Sequence, residues 1–295
     1  MSEFRSGFVA LLGPPNAGKS TLTNALVGAK VAITTPVPQT TRFAIRGVVH
    51  RPGAQIVLVD TPGVHEPRHR LGEHMMRTVR TALQEADVVL LVLDAARPVG
   101  PESEMALELA RASGRPVVVA LNKCDQASPE ILAAREAWVR EVLPEAAIVR
   151  TSALLGEGLE QLVAQIIERL PAGPPYFEED DVTDQPVQRL VAEIIREKAM
   201  ELVREEVPHS IGVEIEAFEP RDDQLTYIRA TLHVERASHK PILVGKGGRM
   251  IREIGRAARR EIEALLGTRV YLDLWVKVSE DWRENERMIR TLYPS

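Results

Sequence analysis

The sequence predicts an α/β fold, a doubly wound and mainly parallel sheet, followed by a smaller α+β domain. Three observations carry this expectation. From Phe8 to Leu170, short apolar runs alternate with amphipathic runs of helical period. The first of these runs leads into Gly13-Pro14-Pro15-Asn16-Ala17-Gly18-Lys19-Ser20, a G-x-x-x-x-G-K-[ST] pattern between a strand and a helix. Beyond Pro171 the composition turns Pro-rich and then acidic before a second pattern of helices and strands begins.

In chain order, the apolar runs predict strands over 8–12, 43–49, 55–60, 88–94, 117–122 and 148–151. Helical periodicity falls over 19–27, 71–85, 102–112, 129–142 and 158–170. Alternation of this kind is what a parallel sheet covered on both faces requires, and its ligands sit beyond the carboxyl ends of the strands. Gly13, Asp60, Asn122 and Ser152 all fall at such ends. The domain is expected to span 1–172. Residues 173–186, with Pro174-Pro175 and then Glu178 to Asp184, read as a linker. Within 187–295 the pattern predicts a helix over 187–206, hairpin strands over 211–218 and 225–235, and a helical region over 241–266 interrupted at 245–248. A strand over 270–278 and a terminal helix over 282–293 complete it.

Composition narrows the classes further. With 44% hydrophobic and 27% charged residues, the chain is ordinary globular material. The single Cys124 excludes a disulfide framework and a thiolate metal cluster. No apolar run approaches a membrane span and residues 1–7 hold no hydrophobic signal core, so a cytoplasmic location is expected. The net charge of −5 conceals a strongly uneven distribution.

The glycine-rich loop has a mechanism. Backbone N–H groups of Gly13, Asn16, Ala17 and Gly18, with Pro14 and Pro15 shaping the turn, close around phosphates, and the helix that includes Thr21 adds its positive end. Lys19 reaches the β/γ-phosphates and Ser20 ligates Mg²⁺. Asp60-Thr61-Pro62-Gly63 follows a strand, which places the Asp60 carboxylate to hold the metal through water and the Gly63 backbone to meet a γ-phosphate. In Asn122-Lys123-Cys124-Asp125, the Asp125 carboxylate can accept two hydrogen bonds from guanine, whereas adenine offers an acceptor at N1. A site built this way rejects the wrong base by factors of about 10⁴ to 10⁵. Asn122 would brace the neighbouring loop and Lys123 lay its stem along the base. A backbone N–H of Ser152-Ala153-Leu154 is placed to meet the guanine O6, or Ser152 caps the helix that follows.

With these motifs in order, roughly the first 170 residues resemble the translation-factor-related class of small GTPases. Gln39-Thr40-Thr41-Arg42 is similar to the first switch loop of the Era family, which implies Thr41 as a magnesium ligand in the GTP state, with Thr40 beside it. Val64 stands where Ras-type enzymes carry a water-orienting glutamine. The resemblance implies a hydrophobic residue turned from the γ-phosphate and K⁺ placed by Asn16, with Asn16, Lys19, Thr41 and Gly63 forming the catalytic set. Hydrolysis is then slow without a partner. His65 is expected to be an exposed switch residue rather than a general base.

Gly245-Lys246-Gly247-Gly248 sits between helical segments, after a hairpin and before a strand. This order resembles the bacterial-type, type II KH domain, whose G-x-x-G loop clamps about four nucleotides. Eight basic residues between Arg236 and Arg260 face only Glu253. Lys246 and Arg249 are expected at phosphates, while Arg252, Arg256, Arg259 and Arg260 share a helix face. Ile242, Leu243, Val244, Met250 and Ile251 divide between the groove and the core.

A GTP-binding domain followed by a KH domain resembles the Era family over essentially the whole chain. That resemblance implies a cytoplasmic, monomeric GTPase that uses Mg²⁺, binds GTP and GDP and hydrolyses GTP to GDP and phosphate, and binds the 3′ region of small-subunit ribosomal RNA during 30S assembly. The family is associated with peripheral membrane contact, although nothing in the sequence resembles an anchor. Two alternatives remain at this stage: an RNA-binding module on a non-cycling nucleotide platform, and a GTP-dependent RNA-modifying enzyme.

Overall fold

The computed structural model describes residues 3–204 and 206–293. It divides into two compact units, one made of 1–34, 38–68 and 72–184, the other of 35–37, 69–71 and 185–295.

The first unit carries a six-stranded sheet in the order β2-β3-β1-β4-β5-β6. Its strands are β1 (Arg5–Leu12), β2 (Ile45–Arg51), β3 (Ala54–Asp60), β4 (Val88–Asp94), β5 (Val117–Asn122) and β6 (Ala147–Arg150). All neighbours run parallel except the edge strand β2, which pairs antiparallel to β3. Helices α1 (Lys19–Val27), α2 (Arg70–Glu85), α3 (Pro101–Ala112), α4 (Pro129–Val142) and α5 (Leu159–Arg169) connect them.

Alternation along the strands explains why both faces are covered. Ala10 and Leu12 of β1, with Val89, Leu91 and Leu93 of β4, pack against α2, α3 and α4. Val9 and Leu11, with Val88, Leu90 and Val92, pack against α1 and α5. A central strand apolar on both faces reads as a continuous hydrophobic run, as here. The strand expected from residue 43 starts at Ile45, which lies opposite Asp60, the last residue of β3, where the β2–β3 register ends.

The segment 173–184, read as a linker, is packed on this sheet. Buried Gln55 accepts the Tyr176 and Phe177 N–H groups at 2.7 and 3.1 Å and donates to Phe177 O at 2.8 Å. Val48 N–H donates to Val182 O at 2.9 Å, Thr183 Oγ1 to Arg46 O at 2.6 Å, and Arg46 pairs with Asp184 at 2.7 Å.

In the second unit, β7 (Gly212–Asp222) and β8 (Leu225–Val234) are antiparallel and β8 and β9 (Arg269–Val278) parallel. Helices α6 (Val187–Leu202), α7 (His239–Val244) and α8 (Arg249–Leu266) pack on the sheet through Val191, Ile195, Leu243, Ile254, Ala258 and Ile262. The expected helix 187–206 ends at Leu202, and its Glu205 lies outside the described residues. Val203 turns extended, and both Val203 and Val207 enter the core. The expected terminal helix is broken. Asn285, in extended conformation, separates a 3₁₀ turn from α9 (Glu286–Leu292) and caps the latter by accepting the Met288 N–H. Pro294 and Ser295 lie outside the described residues. No described helix is long and apolar enough to cross a membrane.

Candidate functional site

β1 delivers the chain into the loop 13–18, and α1 begins at Lys19 with Gly18 as its N-cap. Gly18 is required there twice over: its φ is +96°, and a Cβ would lie 2.3 Å from Asn122 Nδ2. Asn16 is also left-handed, at φ 63°. Pro14 and Ala17 are buried, Pro15 is half-buried, and Thr21 is the half-buried third residue of α1. Lys19, 6% exposed, folds over the loop, its Nζ donating to Gly13 O and Pro14 O at 3.1 Å each. Burial lowers its pKa to about 8 against the attraction of Asp60.

Ser20, Thr41 and Asp60 come from α1, the stretch before β2 and the end of β3, yet their oxygens converge. Ser20 Oγ donates to Asp60 Oδ2 at 2.6 Å and lies 2.9 Å from Thr41 Oγ1. Asp60 Oδ1 is buried and meets no donor. Burial raises the Asp60 pKa to about 6, opposed by Lys19 and the two hydroxyls. Hard oxygen donors around an orphaned carboxylate oxygen fit Mg²⁺.

Thr61 Oγ1 donates to Leu11 O at 2.6 Å, tying this segment to β1. Gly63 lies against the phosphate loop, where a Cβ would come within 2.8 Å of Pro15 N and Cα. The Val64 N–H donates to Gly13 O at 3.0 Å, and the Val64 side chain is fully buried among Leu12, Met76 and Val79. His65 is not the exposed residue expected. It is 4% exposed, because its ring seats beneath Gly72, whose missing Cβ would lie 3.2 Å from His65 Nε2.

Beyond β5, Asn122 joins three loops. Its Nδ2 donates to Ala17 O at 2.9 Å, and its Oδ1 accepts the Ala153 N–H at 3.1 Å and the Thr151 hydroxyl at 3.4 Å. Lys123, left-handed at φ 60°, donates to Asn16 O at 2.7 Å and Asp94 Oδ2 at 2.6 Å. No sequence motif marks Asp94, although it ends β4 as Asp60 ends β3. Asp125 is exposed in the 3₁₀ turn beside them. Ser152 does not cap α5, whose N-cap is Gly158; its Oγ accepts the Leu155 N–H at 3.3 Å. Leu154 is 76% exposed beside the buried Ser152 and Ala153.

In the second unit, Gly245, Gly247 and Gly248 all have positive φ, and a Cβ on Gly245 would lie 2.7 Å from Met250 N. The loop thus packs against the N-terminus of α8, where the first-turn N–H groups have no helical partner. Lys246, Arg249, Arg252, Arg256, Arg259 and Arg260 are exposed, opposite the buried Ile254, Ala258 and Ile262. Arg249 pairs with Glu253 at 3.0 Å. Leu243 is core, Val244, Met250 and Ile251 pack partly against it, and Ile242 is 45% exposed.

Comparisons with known proteins bear on these arrangements. The family described as 50S ribosome-binding GTPase matches residues 8–123, and the KH domain family matches residues 206–283. GTPase Era of Halothermothrix orenii is 46% identical over 290 residues, covering 98% of each chain. The chain belongs to the Era GTPase family. Among solved structures of that family, a variant of Aquifex aeolicus Era bound to GDP.AlF4⁻ superimposes with TM-score 0.94 and 42% identity, covering 98% of this chain and 99% of the other. Era in complex with MgGDPNP and nucleotides 1506–1542 of 16S ribosomal RNA gives TM-score 0.95 and 42% identity, covering 98% of each. As an Era-family chain, the protein is a GTPase with a C-terminal KH domain.

Proposed function

We propose that this GTPase acts as a switch in assembly of the 30S subunit, binding the 3′ region of small-subunit ribosomal RNA through its KH domain. The observation that carries the proposal is the Era complex with MgGDPNP and 16S ribosomal RNA, 42% identical over 98% of both chains. The same proposal makes it a cytoplasmic monomer, with peripheral contact to the inner membrane surface and no membrane span.

In this reading the phosphate loop from Gly13 to Thr21 and the Gly63 N–H hold the phosphates, and Lys19 stands at the β/γ oxygens. Asp125 selects guanine, Asn122 and Lys123 brace its pocket, and the 152–154 loop meets O6. Mg²⁺, ligated by Ser20 and Thr41 and by Asp60 through water, supplies positive charge to the β- and γ-phosphate oxygens when bound. Asn16 is assigned to K⁺; the support is its left-handed conformation, fixed by Lys123 on its carbonyl. With Val64 buried, no side chain at that position orients water, so turnover depends on positioning by Lys19, Thr41 and the Gly63 backbone.

On the RNA side, Gly245, Lys246, Gly247 and Gly248 admit phosphates close to backbone N–H groups, with Arg249 and Arg252 adding charge. The double variant Lys246→Asp/Gly247→Asp is expected to lose RNA binding by more than tenfold while its GTP affinity stays within twofold. Titration with a 3′-terminal fragment of the small-subunit RNA and with labelled GTP reads both. Retained RNA affinity would remove the KH assignment. Slow hydrolysis stimulated by that RNA separates the switch from a non-cycling platform.

A further inference from the structure

The peptide joining Gly63 to Val64 is held at both poles. Its N–H donates to Gly13 O of the phosphate loop at 3.0 Å, and its carbonyl lies 2.8 Å from His65 Nδ1. A carbonyl only accepts, so Nδ1 carries a proton and donates it. The ring is buried, and Nε2 is a buried atom with no partner among the described residues. Leaving a buried acceptor unpaired costs about 1–3 kcal/mol. A side chain kept in place at that cost, when an apolar one would fill the space beneath Gly72, needs a reason, and among the described residues its hydrogen bond goes to the Gly63 carbonyl.

We propose that His65 is a positioning residue of the GTPase site: its Nδ1–H fixes the Gly63–Val64 peptide against the phosphate loop and thereby sets Gly63 to receive a γ-phosphate. The inference rests on the assignment of the Gly63 N–H to that phosphate. With the plane following its Cα locked and Pro15 against its other side, Gly63 has little rotational freedom left. His65 therefore serves the triphosphate state and contributes nothing specific to GDP.

The test compares labelled GDP and GDPNP affinities, and GTP turnover, in the full chain. His65→Leu removes the donor. His65→Asn restores an N–H at the δ position, and His65→Gln carries its amide one carbon further. For His65→Leu, GDPNP affinity relative to GDP is expected to fall roughly tenfold, with kcat falling in step; His65→Asn should recover most of both and His65→Gln neither. An unchanged GDPNP-to-GDP ratio in His65→Leu overturns the inference, as does an equal loss for both nucleotides. Should His65→Leu fail to fold, Asn and Gln variants that behave alike overturn it, and a ratio restored by Asn alone supports it. Gly63→Ala in the same assay isolates the underlying assignment. If Gly63→Ala leaves the ratio unchanged, the γ-phosphate role of Gly63 fails; if it shifts the ratio and the His65 variants do not, only the role of His65 fails.

Discussion

Asp60 and Lys19 meet in a site that penalises both their charges. Because burial raises the Asp60 pKa from 3.8 to about 6, the folded protein holds a proton that the unfolded chain releases. Stability from that proton is complete below about pH 4 and lost as pH rises to about 6, on the order of 2–3 kcal/mol. For Lys19, lowered from 10.5 to about 8, the sign reverses: stability from the neutral amine is present above about pH 10 and lost as pH falls through 8. The nucleotide-free protein is therefore expected to gain thermal stability from Asp60→Asn at neutral pH, by a few degrees in calorimetry, while GTP turnover falls on the order of 10²-fold. A lower Tm for the variant would contradict the account. Asp125→Asn should weaken GTP binding on the order of 10²-fold and favour xanthosine triphosphate, read by competition with labelled GTP. Ser20, Asp60 and Asn122 are legible in the sequence because each ends or follows a strand within a spaced motif. Asp94 and His65 are not, for a physical reason. The partnership of Asp94 with Lys123 depends on β4 pairing with β5 so that Asp94 lies opposite Asn122, and the burial of His65 depends on Gly72 arriving from α2.

At the level of elements, periodicity predicts which runs form helices better than where they stop. α1, α4 and α8 keep their expected limits, while α6 ends early at Leu202, where Val203 turns extended. The break at Asn285 was equally hidden, since its side chain acts as a cap only once the chain before it has turned. Asn285→Ala should cost about 1 kcal/mol of stability, measured by denaturant titration. The strand β3 carries a heavier obligation in Gln55, which makes three hydrogen bonds to Tyr176 and Phe177. Gln55→Leu is expected to destabilise the first unit by about 2–4 kcal/mol, because it leaves buried backbone groups unpaired. A cost under 1 kcal/mol would mean that the segment from Tyr176 contributes little to holding the fold.

For the whole molecule, the distribution of charge matters more than its sum. A chain of net charge −5 carries Arg252, Arg256, Arg259 and Arg260 on one face of α8 and a run of five acidic residues in 178–184. Salt should weaken RNA binding steeply while leaving guanine selection intact, since the first relies on exposed Lys and Arg and the second on hydrogen-bond matching. The acidic stretch has a further consequence through its place on β2. A sheet edge with free N–H and C=O groups is a template for the strand of another molecule. Val182 and Thr183 occupy that edge, with Asp184 clasping Arg46. The segment that composition marks as a spacer thus covers part of the edge that another strand would otherwise use. Thr183→Val combined with Arg46→Ala, which removes the Thr183 hydroxyl bond and the ion pair to Asp184, should leave the chain folded but raise its light scattering on concentration, and the protein would be lost to aggregates before it is lost to unfolding.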